Sequence, residues 1–273
     1  MQHNEINNLE IYTERMGKGL IDKLFFVDKI DADLIVDFGC ADGLLIDQLN
    51  WWIPDVAFVG YDSDNNMIEK ARERFSSKTA PLVFFSDNWE TVEFKVNDTR
   101  NRNGRTAVVL SSIIHEVYHY SEPHEVDAFW QRIFSGLFDY IIIRDMIPSR
   151  SVDRPSDVND VAKIYRQYLN TKQLQDFENG WGSIENNKSL THFLLKYKYE
   201  HPNWEREVKE NYLPLFREDL LAMLPNEYKI IYHEHFVLPY IKQSVFKDLS
   251  IELKDPTHLK LILERSNNGI QTS

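Results

Sequence analysis

Apolar residues recur at steps of three and four from Leu9 through Tyr12, Met16 and Leu20 to Leu24, the spacing of one face of an amphipathic helix. The period then changes. "DLIVDFGCADG" is a short apolar run that stops at Asp37 and enters a glycine-bearing turn, after which "LLIDQLNWW" resumes helical spacing. "AFVGYDSD" repeats the design with a second strand ending in acid, and "NNMIEKARERF" supplies its helix. "LVFFSD", "AVVLSSII" and "YIIIRDM" read as the third, fourth and fifth strands, the last preceded by the helix-like "EVDAFWQRIFSGL". Strands alternating with helices predict an α/β fold with a doubly wound, mainly parallel sheet and a ligand site at the strand C-terminal ends.

After Pro148 the alternation fails. Residues 149–224 are helical in period, mixed in charge and rich in aromatics, as in "HFLLKYKYEHPNWEREVKENYLPLF", and read as a helical insert between strands five and six that covers the ligand edge. "YKIIYHEHFVL" and "HLKLILER" are the last two of seven strands. Their connection is short for a full crossover, which favours antiparallel pairing. The expected organisation is thus a core with its first helix over 1–148, the insert over 149–224, and the closing strands with a loose tail over 225–273.

Composition narrows the possibilities. A chain of 273 residues with 42% hydrophobic residues buries a substantial core. No apolar run approaches the roughly 20 residues that span a bilayer, and "MQHNEINN" lacks the basic-then-apolar order of a secretory signal; the expectation is a cytoplasmic protein without membrane association. Cys40, the single cysteine, excludes an internal disulfide and a cysteine-based zinc site. A net charge of −12 argues against non-specific binding to duplex DNA, which requires Lys and Arg on the phosphates.

Two short stretches carry chemistry. The first is "HEVYH" at His115 to His119, which matches the H-E-x-x-H pattern of zinc peptidases. Such a site needs both His residues on one helical face, Glu to polarise a zinc-bound water, and a third ligand. The chain continues "HEVYHYSEPHE", where Pro123 ends the helix early and His124 stands off the expected spacing. Because the pattern directly follows the fourth strand of an alternating sheet, no metal is expected there. "HEH" at His233 to His235 reads as strand residues with one exposed face.

The second stretch is "DFGCADG". Gly39 and Gly43 let the backbone turn tightly and approach a ligand, and the following helix offers free N–H groups. The turn is not the G-x-G-x-x-G of dinucleotide cofactors. With its neighbours it resembles the class I, Rossmann-like S-adenosylmethionine-dependent methyltransferase family: "VDFGCADG" is similar to the first motif of that family, with Ala41 where a central glycine is usual, and "VGYDSD" resembles the second, with Asp62 at the end of strand two. The resemblance covers about residues 30 to 147 and, weakly, the last two strands. It implies S-adenosyl-L-methionine as cofactor, held by Asp37, Gly39, Cys40, Ala41, Gly43, Asp62, Ser63, Asp87, Asn88 and Ser111. Asp62 would accept from the ribose hydroxyls, and "FFSDNW" would meet the adenine.

The same resemblance places "VVLSSIIHEVYHYSE" beside the transferable methyl group, with His115, Glu116 and Tyr118 as candidate catalytic residues. His115 and Glu116 could orient or deprotonate an acceptor, or His115 could pack under the cofactor while Glu116 caps a helix. His119 is expected to face solvent. Arg144 and Asp145 could bind a charged acceptor or pair with each other. Arg15, Lys18 or Lys23 could reach the cofactor carboxylate. Lys196, Tyr197, Lys198, Tyr199, Trp204 and Arg206 could form an aromatic lid or simply the core of the insert. Cys40 is expected to be structural. The expected acceptor is a small molecule, a nucleotide or an RNA. The competing expectations are a zinc metallopeptidase using HEVYH and a non-catalytic S-adenosylmethionine-binding interaction protein.

Overall fold

A computed structural model of the chain describes residues 19–78 and 80–266. Its centre is a seven-stranded sheet of β1 (Leu34–Phe38), β2 (Ala57–Tyr61), β3 (Val83–Ser86), β4 (Thr106–Ser111), β5 (Tyr140–Asp145), β6 (Tyr228–Phe236) and β7 (His258–Arg265), in the order β3-β2-β1-β4-β5-β7-β6. The first five strands are parallel to one another, and β7 runs antiparallel to both β5 and β6. Both faces of the central strands are covered, so all of β1 and β5 is buried and their sequences read as continuous apolar runs rather than alternating ones. The reversal of strand order lies between β1 and β4, where open α/β sheets take their ligands.

One sheet face packs Val36, Val108 and Ile141 against Val92 and Val96 of α4 (Trp89–Asn101) and Phe129 and Ile133 of α6 (Pro123–Ile133). The other packs Ile35, Val109 and Ile142 against α2 (Leu44–Trp52) and α3 (Asn65–Phe75), with Phe26 fully buried beneath them. Of the long first helix expected from Leu9, the part before residue 19 lies outside the described residues; its end is the short α1 (Leu20–Lys23). The tail after Ser266 also lies outside them.

Between β5 and β6 come α7 (Val158–Tyr168), α8 (Lys172–Trp181), α9 (Asn187–Lys196), α10 (Asn203–Glu207) and α11 (Arg217–Ala222). Their apolar faces form a separate core of Val161, Ile164, Leu174, Phe177, Phe193 and Trp204. Leu215 and Leu220, at the end of this segment, pack back against the sheet instead. The β6–β7 connection holds a helix that the strand pattern did not suggest, α12 (Pro239–Leu249). Its Val245 and Leu249 join the core of the insert rather than that of the sheet, and Tyr197 donates from its hydroxyl to Asp248 at 2.8 Å. The antiparallel pairing holds despite the helix, because the chain returns to the end of β6 from which it left.

Candidate active site

The cradle at the tip of β1 is made by backbone. Gly39, Ala41 and Gly43 all have positive φ, at 77°, 46° and 75°. A Cβ on Gly39 would stand 2.6 Å from Ile113 Cδ1, so only glycine fits that position without displacing the residue before α5 (Ile114–Tyr120). The turn is pinned to β2: Gly39 and Cys40 donate their N–H groups to the carbonyl of Tyr61 at 2.8 and 3.0 Å. Ala41 donates its own to Asp62 Oδ2 at 2.9 Å, and Asp62 Oδ1 accepts from Asp64 N at 2.9 Å.

A cleft opens beside this turn, lined by Leu20, Lys23, Asp37, Gly39, Cys40, Leu44, Leu45 and Ser111. Ser111 Oγ, at the end of β4, is buried there without a hydrogen-bond partner among the described residues. Burial pushes the Asp37 carboxyl up to about 7, against the pull of Lys23 and with the charge of Asp62 adding to it. Lys23 is itself lowered by burial and by Arg144, while Asp37, Asp145 and Glu116 oppose the shift. The Cys40 thiol is buried and held well above its usual range by that burial, which makes it a packed side chain rather than a nucleophile. Asp87 and Asn88 are exposed at the end of β3, and Asn88 caps α4 by accepting from Glu90 N at 2.8 Å. Ser63 lies in the bend between Asp62 and α3. Arg15 and Lys18 lie outside the described residues.

The second half of the site is made by side chains. His115, on the first turn of α5, is buried and shares a hydrogen bond from Nδ1 to Asp145 Oδ1 at 2.7 Å. Asp145, at the end of β5, also accepts from Ile114 N and Met146 N, each at 2.7 Å. Burial alone would lower the imidazole, but Asp145, helped by Glu116 and Glu210, raises it to about 9. Burial would raise Asp145, and the imidazole and two backbone N–H groups turn the shift downward. Glu116 is pushed up to about 7 by burial, with Glu210 and Asp62 reinforcing and His115 and Arg206 opposing. Ser111 of the cleft lies opposite Arg144 in the β4–β5 register, which sets Asp145, and His115 with it, beside the cleft.

Glu210 arrives from the insert. His115, Glu116 and Glu210 each offer a ligand atom, and these atoms lie within 4.8 Å of one another. Tyr212 lays its ring against His115 with centroids 5.7 Å apart. The loop that carries both is fixed from beneath: the fully buried Lys196 donates from Nζ to the carbonyls of Glu207, at 2.6 Å, and of Glu210, and Tyr212 N donates to His192 Nε2 at 3.2 Å.

The structure therefore gathers His115, Glu116 and Asp145 and adds Glu210 and Tyr212, which no motif announced. It sets Tyr118 elsewhere, because its hydroxyl accepts from Trp130 Nε1 at 3.0 Å in a groove shared with Val126, Phe134 and Met223. None of that groove's lining belongs to the cleft beside the glycine turn. Of the HEVYH pair, His119 is partly buried against Tyr120 rather than facing solvent, and His124 is exposed on α6. Arg144 does not pair with Asp145; it binds Asp22 and Ser112, both at 2.9 Å. Tyr197, Trp204 and Lys196 are buried in or beside the core of the insert, not stacked as a lid.

Residues 35–139, less than half of the chain, match the family model described as a methyltransferase domain. That stretch is similar to a methyltransferase domain. The methyltransferase domain match runs from β1 to the loop before β5, so it includes the cradle, His115 and Glu116 and leaves out Asp145, Glu210 and the insert. No curated protein sequence matches the chain. Among solved structures it is similar to the methyltransferase domain of bacterial CtHen1-C, at 10% identity and a TM-score of 0.49, covering 94% of this chain and 100% of that one. It is also similar to the plantazolicin methyltransferase BpumL, solved with a pentazolic desmethyl analogue and SAH, at 10% identity and a TM-score of 0.48, covering 94% and 86%. Likenesses at such scores carry no weight on substrate. No helix among the described residues is long and apolar enough to cross a membrane.

Proposed function

We propose that the protein is an S-adenosylmethionine-dependent methyltransferase whose acceptor sits between α5 and the insert. The observation that carries the reading is the cleft itself: a positive-φ turn without side-chain obstruction, next to an unpartnered buried hydroxyl on Ser111 and directly beside the His115–Asp145 pair. The residues present suit the cofactor. Asp62 would take the ribose hydroxyls, Ser111 Oγ a polar atom of the ligand, and Lys23 the carboxylate of its amino-acid end. Gly39 lets the main chain come close, while Asp87 and Asn88 border the adenine.

When bound, S-adenosylmethionine supplies a methyl group on a sulfonium leaving group, so the protein's work is mostly placement and exclusion of water. The insert provides the cover. Asp145 fixes the ring of His115 through Nδ1, and His115 with Glu116 would orient the acceptor or hold its proton. Glu116, with a carboxyl raised to about 7, is matched to proton exchange near neutrality. The acidic character of the cluster favours an uncharged or cationic acceptor group over an anionic one. A small metabolite, a nucleotide or an RNA terminus with free hydroxyls meets that condition.

Calorimetric titration with S-adenosylmethionine and S-adenosylhomocysteine tests the reading. Micromolar binding of either is expected. A folded protein that binds neither refutes it. Slow conversion of the one into the other when acceptor pools are added separates an enzyme from a protein that only binds the cofactor.

A further inference from the structure

Glu210 is hard to account for as a structural residue. It is 3% exposed, and its Oε1 is buried without a hydrogen-bond partner among the described residues. A buried carboxylate oxygen left without a hydrogen bond is uncommon in a folded chain and calls for a reason. Yet the chain holds it there deliberately, through Lys196 on the Glu210 carbonyl and His192 on Tyr212 N. What the carboxylate faces is a second acid and an imidazole: one ligand atom from each of His115, Glu116 and Glu210 falls within 4.8 Å of the others. His115 Nδ1 is occupied by Asp145 at 2.7 Å, so Nε2 is the nitrogen left for a ligand. A carboxylate behind the far nitrogen is the arrangement that fixes the tautomer and orientation of a metal-binding histidine.

We propose that His115, Glu116 and Glu210 form a divalent-cation site at the acceptor side of the cleft, with Asp145 positioning the imidazole. One nitrogen and two carboxylates suit Zn²⁺, Mn²⁺ or a similar ion. Bonds of about 2.1 Å set ligand atoms roughly 3 to 4 Å apart, so the site closes by a movement on the order of 1 Å. Three protein ligands leave coordination positions open. Resting on the methyltransferase reading, this deepens it: the acceptor is a compound that reaches the ion through oxygen, such as one bearing adjacent hydroxyls. The site is not the zinc-peptidase arrangement. That would use His119, whereas here the third ligand comes from the insert, so an ion would also tie the insert to the sheet.

The test uses chelator-treated, full-length protein titrated with Mn²⁺ and with Zn²⁺, and with Co²⁺ followed by its visible absorption. One saturable site per chain is expected. Glu210→Gln, Glu116→Gln and His115→Gln should each weaken it by at least about tenfold, and Asp145→Asn by about 10- to 100-fold through loss of imidazole orientation. His124→Ala, on the exposed face of α6, should leave it unchanged. Circular dichroism and S-adenosylhomocysteine titration of each variant report on folding. Absence of saturable binding of all three ions, or equal affinity in the Glu210→Gln and His115→Gln proteins, overturns the site. Cofactor binding without ion binding removes the cation and leaves the methyltransferase; ion binding without cofactor binding does the reverse.

Discussion

The two halves of the site are built in different ways. At the glycine turn, the chain from Gly39 to Gly43 is held by main-chain bonds to Tyr61 and by the Asp62 carboxylate, all within a short stretch of chain. Around His115 the parts come from further apart. His115, Glu116, Asp145 and Glu210 belong to the start of α5, the end of β5 and the insert, where Asp145 is held by His115 and by the N–H groups of Ile114 and Met146, and the Glu210 carbonyl by Lys196. The first half is a shape made by the backbone, which tolerates few residue types. The second is a balance of buried charge, which many acids could supply but only in company.

This contrast can be broken at several points. The largest effect is expected from Gly39→Val, which adds left-handed strain of about 1–3 kcal/mol and a clash with Ile113. S-adenosylhomocysteine binding should vanish in calorimetry and the melting temperature should fall. Next comes Asp62→Ala. Loss of two hydrogen bonds to a charged acceptor, each worth about 1.5 kcal/mol or more, should weaken the same ligand by about 100-fold while circular dichroism shows the fold retained. Unchanged affinity there would remove Asp62 from the cradle.

Lys196→Met probes the other half. Freed from its clasp, the 207–212 loop should exchange its amide hydrogens roughly tenfold faster, whereas S-adenosylhomocysteine affinity stays within about twofold because the cradle shares no partner with Lys196. A large loss of cofactor affinity would mean that the halves are not separable.

The smallest effect concerns pH. The Asp37 carboxyl is about 7 when folded against 3.8 as its ordinary value, so the folded state keeps a proton that the unfolded chain has already released between those limits. Stability should therefore fall as pH rises through that window. Asp37→Asn lacks this loss; its melting temperature should equal that of the parent near pH 4 and exceed it by several degrees above pH 7. Parallel curves at every pH would show that Asp37 is ionised throughout.

Much of the first half was legible. A strand ending in acid, a turn with two glycines and a second strand ending in Asp62 leave a local trace, because positive φ and close approach constrain residue type. The sheet was legible for the same reason that β1, β4 and β5 are continuous apolar runs. Glu210 left no such trace: in "VKENYLPLF" it is one acid among aromatics, and only the path of the insert brings it over His115. Tyr118 points into another groove because a place in the second turn of the helix after a strand says which helix a residue is on and not which way it faces. The helix α12 was missed because the β6–β7 connection was judged by its length, although Ile241, Val245 and Leu249 recur at the helical step of four.

The placement of α12 has a bearing on how the molecule is made. A chain emerging from the ribosome presents β1 to β5 and every helix of the insert before Val245, Leu249, Ile251 and Leu253, which complete the core of that insert. Until they appear, the apolar faces around Phe193 and Trp204 lack part of their covering, a state that invites chaperones. The core of the insert, which carries Glu210 to His115, is thus among the last parts of the protein to be finished, and a prematurely terminated product would be marked by an open insert.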